Sequence, residues 1–248
     1  MEEMEEYVAR SGADSYGHAV GIILIDSPTP FIPGDVGNAS SFKYPVLYRT
    51  VEGVTVDRLI NRFDPGNAGA VVRTAKDLAA HGVRLVTSDC GFMLRFQKEV
   101  ATALKVPVAL SSLSQLPFIE STLGRGDRVG VITANGEKFD RELLTLAGMR
   151  NPDAALVRGM EGCPGFKGPA LENTLRLKPG PIRGHAVSLA REMVAGEPQI
   201  RAILLECSML PPYAAAIQRA VGLPVFDFIT MIDCLVGASF RKDFTGFY

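Results

Sequence analysis

Two cysteines in this chain stand in matching settings, Cys90 in TSDCGFM and Cys207 in LLECSML. Each follows an acid at the end of an apolar run and precedes what reads as a helix. A cysteine just ahead of a helix meets unpaired N–H groups and the positive end of the dipole, which favours its thiolate. The same N–H groups suit a carboxylate ligand. The match extends beyond the thiols. Residues 83–112 lie over residues 200–229 without a gap at a constant offset of 117, setting Arg84 on Arg201, Asp89 on Glu206, Cys90 on Cys207 and Pro107 on Pro224. A second echo pairs AVGIILIDS (19–27) with RVGVITANG (128–136).

If a pseudo-twofold axis relates these halves, the thiols face each other across one cleft. Two thiols on opposite sides of a carbon acid form a two-base pair. One removes the α-proton and the other returns a proton from the opposite face, without metal or cofactor. The expected function is therefore a cofactor-independent racemase or epimerase acting on a small carboxylate, an amino acid or related carbon acid. Two alternatives keep the cleft. One is a cis–trans isomerase or lyase using one cysteine as a covalent nucleophile, and the other is a non-catalytic small-molecule binding protein. Asp89 and Glu206 would raise the thiol pKa values if they pointed inward, so at least one is expected to turn away or to orient backbone.

The elements that must position these residues are short continuous apolar runs alternating with amphipathic stretches, the pattern of a parallel α/β fold. Strands are expected at 19–25, 45–51, 83–87, 106–110, 128–133, 154–157, 200–205 and 223–227. Asp64 caps a helix starting near Pro65 and Gly82 ends it. Further helices are expected at 91–104, 136–147, 183–195, 209–221 and 228–239. Two proline- and glycine-rich stretches, 27–45 and 158–180, break the rhythm. Both read as loops leaning over a sheet edge, where ligands bind in open parallel sheets.

The chain has 248 residues, 47% hydrophobic, enough for a large core or two smaller ones. A net charge of −1 with scattered basic residues excludes a nucleic-acid or membrane-surface partner as the expectation. The opening MEEMEEYVAR lacks the pattern of a signal peptide, so a cytoplasmic protein with four reduced cysteines is expected. No cysteine or histidine spacing suggests a metal, and none is expected. Around the thiols, Ser88, Gly91 and Ser208 are candidate substrate contacts that could equally be helix caps. Asp26, Ser27, Thr133 and Asn135 end strands, where they could bind a carboxylate or shape turns. Cys234, within the apolar FITMIDCLVGA, reads as a core residue, and Cys163 as a structural one that could also reach the cleft from its loop.

The paired TSDCGFM and LECSMLPPY, with the duplicated layout, resemble the aspartate/glutamate racemase superfamily from about His18 onward. The resemblance implies two pseudo-symmetric flavodoxin-like α/β domains with parallel sheets and an active-site cleft between them. It implies a first half of 18–112 completed by 226–248, and a second half of 113–225. The family's catalytic cysteines fall on Cys90 and Cys207, and the Asp-Ser of glutamate racemases falls on Asp26-Ser27. A homodimer or higher homo-oligomer is implied by the same analogy. Glutamate racemases carry Asn-Thr where this chain has Gly91-Phe92, and Thr-His where it has Ser208-Met209, so the cleft here is more apolar. The second thiol argues against the family's decarboxylases, which keep one.

Overall fold

The computed structural model describes residues 6–247. The first half of the opening segment, on which the signal-peptide reading rests, and Tyr248 lie outside the described residues. Two four-stranded sheets organise the chain, both entirely parallel. The first contains β1 (Val20–Ile25), β2 (Val46–Val51), β3 (Leu85–Ser88) and β4 (Val108–Ala109) in the order β2-β1-β3-β4. The second contains β5 (Arg128–Thr133), β6 (Ala155–Gly159), β7 (Ile200–Leu205) and β8 (Val225–Phe226) in the order β6-β5-β7-β8. One topology thus occurs twice, as the internal repeat requires.

The helices are α1 (Ala68–Ala80), α2 (Gln97–Ala103), α3 (Leu116–Thr122), α4 (Arg141–Leu146), α5 (Pro164–Leu171), α6 (Pro179–Gly196), α7 (Ala214–Val221) and α8 (Phe228–Ser239). β1 and β5 each carry a glycine where a neighbour comes close. A Cβ on Gly21 would sit 2.9 Å from Leu78 Cβ of α1, and one on Gly130 would sit 2.8 Å from Ile203 Cδ1 of β7. Asp227 caps α8 through a reciprocal bond with Thr230. That helix leaves the second sheet and packs Phe228, Met231 and Ile232 against Val20, Ile22 and Leu85 of the first.

Local structure departs from the expected pattern in three places. After Cys90 the chain forms a 3-10 helix, Gly91–Phe96, before α2 begins. Phe92, Met93, Leu94 and Phe96 are all buried there and Arg95 is the single polar side chain, so no amphipathic face develops until Gln97. The 158–180 stretch is not continuous loop, since Pro164–Leu171 is helical with Pro164 in its first turn. Cys163 is buried, whereas Cys234, expected in the core, is exposed, because α8 turns Phe228, Met231 and Ile232 inward instead.

Candidate active site

β3 and β7 occupy equivalent places in their sheets and run out at Asp89-Cys90 and Glu206-Cys207. The repeat explains how each strand ends. Asp89 N–H donates to the Ile23 carbonyl at 3.0 Å, and Glu206 N–H to the Ile132 carbonyl at 2.8 Å. One rung further on, a side chain replaces the backbone. Asp89 Oδ1 accepts from Ile25 N–H at 3.0 Å, and Glu206 Oε2 accepts from Ala134 N–H at 3.4 Å. Each acid thereby extends the ladder after its own carbonyl has turned away. Those carbonyls are held by serines of the opposite half. Ser208 Oγ donates to the Asp89 carbonyl, and Ser112 Oγ lies 3.3 Å from the Glu206 carbonyl and 2.9 Å from that of Leu205. Both acids orient backbone, yet both remain in the cleft.

Cys90 and Cys207 line one cavity of about 30 Å³ between the halves. Asp89, Gly91, Phe92, Glu206, Ser208 and Met209 share its wall. Thr29 and Phe31 from the first long stretch and Ala170 from α5 close it. Both proline-rich segments therefore cover the cleft, tied together by Ser27 Oγ donating to Asn173 Oδ1 at 2.6 Å. A buried water needs roughly 10–15 Å³ on this measure, so the space has room for about two waters.

Cys207 keeps partial exposure, whereas Cys90 is 7% exposed. Burial pushes both thiols well above their ordinary value, and the Glu206 carboxylate adds to the rise in each. Amide donors oppose it: Phe92 and Met93 N–H at Cys90, and Met209 N–H at Cys207. Burial also raises both acids to about 7. Asp35, buried on the first long stretch, is raised well above the carboxylate range and lifts Cys207 further. Among the described residues, no lysine, arginine or histidine lines the cavity.

The other candidate residues divide by position. Gly91 and Ser208 reach the cavity with the thiols. Ser88 and Thr133 lie buried behind it: Ser88 Oγ donates to the Leu110 carbonyl at 2.6 Å, and Thr133 Oγ1 to Glu206 Oε2 at 2.7 Å. Asp26, Ser27 and Asn135 do not line it. Asp26 accepts from Gly53 N–H at 3.0 Å, and Asn135 accepts from Glu137 and Lys138 N–H as a turn cap. Sequence reasoning missed Ser112 and Phe31, for which no spacing signal exists. It paired Asp89 with Glu206 but could not see which strand each would cap.

Comparison with known proteins settles the fold and redirects the chemistry. No protein-family model matches the chain. Similar solved structures include allantoin racemase from Pseudomonas fluorescens, at a TM-score of 0.60 and 16% identity, covering 90% of this chain and 93% of that one. Unliganded arylmalonate decarboxylase is similar at a TM-score of 0.56 and 16% identity, covering 90% and 94%. The fold is the one seen in these structures. Nearer in sequence is dimethylsulfoniopropionate lyase 7 of Emiliania huxleyi (strain CCMP1516), 35% identical over 238 residues, covering 89% of this chain and 67% of that protein. The dimethylsulfoniopropionate lyase of Durusdinium sp. clade D is 33% identical over 230 residues, covering 88% and 74%. These relatives overturn the racemase expectation, because a duplicated thiol cleft serves elimination as readily as inversion. The chain is an enzyme, and it belongs to the dimethylsulfoniopropionate lyase family.

Proposed function

We propose that this enzyme cleaves dimethylsulfoniopropionate, or a closely related β-sulfonium carboxylate, by β-elimination. The observation that carries the reading is an acidic cleft without basic residues, lined by two thiols, in a chain whose relatives are named for that substrate. Such a substrate bears a positive sulfur two carbons from its carboxylate. A base removes the proton from the carbon next to the carboxylate. The C–H electron pair becomes the new C=C bond, and the C–S bond breaks with its pair leaving on sulfur. Dimethyl sulfide, acrylate and a protonated base result.

Elimination needs one base, and that base must shed its proton to water after every turnover. Cys207 fits this role better than Cys90 because it alone of the pair keeps partial exposure. Its raised pKa makes the thiolate scarce but strongly basic, as a weakly acidic α-proton demands. The Met209 amide favours the charged sulfur, and the cation of the bound substrate does so further. Cys90, enclosed among Phe92 and the two acids, packs the far wall.

Incubation of the purified chain with dimethylsulfoniopropionate tests the reading, with gas chromatography for dimethyl sulfide and NMR for acrylate. The expected result is equimolar release that Cys207→Ser abolishes. Release no faster than in buffer, by folded protein, would refute it.

A further inference from the structure

Glu206 is fully buried, and its two carboxylate oxygens have different surroundings. Oε2 accepts from Thr133 Oγ1 at 2.7 Å and from Ala134 N–H. Oε1 is buried with no hydrogen-bond partner, although its residue lines the cavity. Gly91 of the opposite half is shaped around this oxygen, since a Cβ there would lie 1.9 Å from it. The backbone role of the acid uses Oε2 alone. Asp89, one methylene shorter, fills the equivalent rung without reaching a hydroxyl. The titratable groups nearby are Asp89 and Cys90 across the cleft, Cys207 next in the chain and Asp35 on the covering segment. None can supply a positive charge.

We propose that Glu206 is the cation-binding residue of the cleft, its free oxygen holding the positively charged sulfur of the substrate against the Phe31 and Phe92 rings. The assignment rests on the elimination reading for the identity of the substrate. The ligand class stands apart from that reading: a small zwitterion with a bulky, permanently charged onium group at one end and a carboxylate at the other. Aromatic faces attract such methylated cations. A buried carboxylate in the same lining adds selectivity against neutral groups of the same shape, because it is left unpaired when they bind.

The test compares two non-reacting ligands by titration calorimetry. The first is 3-(trimethylammonio)propanoate, and the second is its neutral-headed carbon isostere, 4,4-dimethylpentanoate. The unmodified chain is expected to favour the onium ligand at least about tenfold, a modest figure for one charge-assisted contact. Glu206→Gln is expected to reduce that preference below about threefold while leaving the isostere's affinity in place. Preference surviving in Glu206→Gln overturns the assignment, as does absence of preference in the unmodified chain. Should Glu206→Gln fail to fold, judged by circular dichroism, Glu206→Asp withdraws the oxygen by one methylene and is read by the same criteria. Neither ligand undergoes elimination, so the two readings fail separately. Onium selection without release of dimethyl sulfide would sink the lyase reading alone, and release without selection would sink the Glu206 assignment alone.

Discussion

Replacing Gly91 by alanine puts a methyl group where Glu206 now lies. The new Cβ would stand 1.9 Å from Oε1, 2.4 Å from the carboxyl carbon and 2.6 Å from the Glu206 backbone carbonyl oxygen, where ordinary contact begins at 3.4 Å. The carboxylate could swing aside only by abandoning Thr133 and Ala134. The carbonyl belongs to the backbone, so the end of β7 must retreat and take Cys207 with it. Gly91 is not in the left-handed region, so alanine is free of backbone strain and gains up to about 1 kcal/mol of helix propensity. Any net loss is therefore packing. Overpacking of this kind costs about 1–3 kcal/mol, a fall of about 2–12 °C in melting temperature for a chain this long. A shift of about 1 Å at the reacting groups costs about a hundredfold in rate. Scanning calorimetry and kcat/KM for dimethyl sulfide release measure both quantities. A melting temperature within about 1 °C of the parent, with kcat/KM within about twofold, would mean that Gly91 and Glu206 are not in contact.

Three further outcomes are expected. Cys207→Ser should lower kcat by at least about a thousandfold, as loss of a general base does at the upper end of its range. Cys90→Ser, at a wall position, should retain measurable turnover, and equal loss in both variants would return the thiols to equal roles. Stability should fall from pH 5 to pH 8: Asp89 and Glu206 titrate at about 7 in the folded chain against roughly 4 when unfolded, so their contribution is complete below the unfolded value and lost as pH rises through 7. Asp35 and Asp227 are raised as well and act in the same direction, so a melting temperature that climbs over this interval would contradict the burial of these acids. Ser27→Ala breaks the 2.6 Å bond to Asn173 between the covering segments, whose net worth is about 1 kcal/mol. It should alter KM by up to about fivefold and lower the melting temperature by no more than about 4 °C, and an unaltered KM would mean that the tie plays no part in covering the site.

The duplicated sheet was legible because the 117-residue offset carries strand, acid, cysteine and helix together. The identity of each acid's partner was not. Asp89 meets Ile25 and Glu206 meets Ala134 only because β1 and β5 lie beside β3 and β7, and strand order is not written in local pattern. Asp26, Ser27 and Asn135 show the same limit from the other side. A polar residue at a strand end satisfies its neighbours or a ligand with equal ease, and only the path of the next loop decides. Inversion and elimination, finally, begin with the same proton transfer. What separates them is a leaving group on the substrate, and the nearest trace of it in the protein is the oxygen that Glu206 leaves unpaired.

The crossed serines also constrain how the enzyme opens. Ser208 and Ser112 stitch the floor of each half to the turned-away carbonyl of the other. A clamshell motion of the two halves would tear buried bonds on both sides at once. Over that floor, Thr29 and Phe31 are tied to the α5 side by the exposed bond at Ser27, and α5 itself is anchored by Phe166 and Ala170 in the second core. The floor is thus fixed from both sides, and the cover over it is drawn from segments that carry neither thiol.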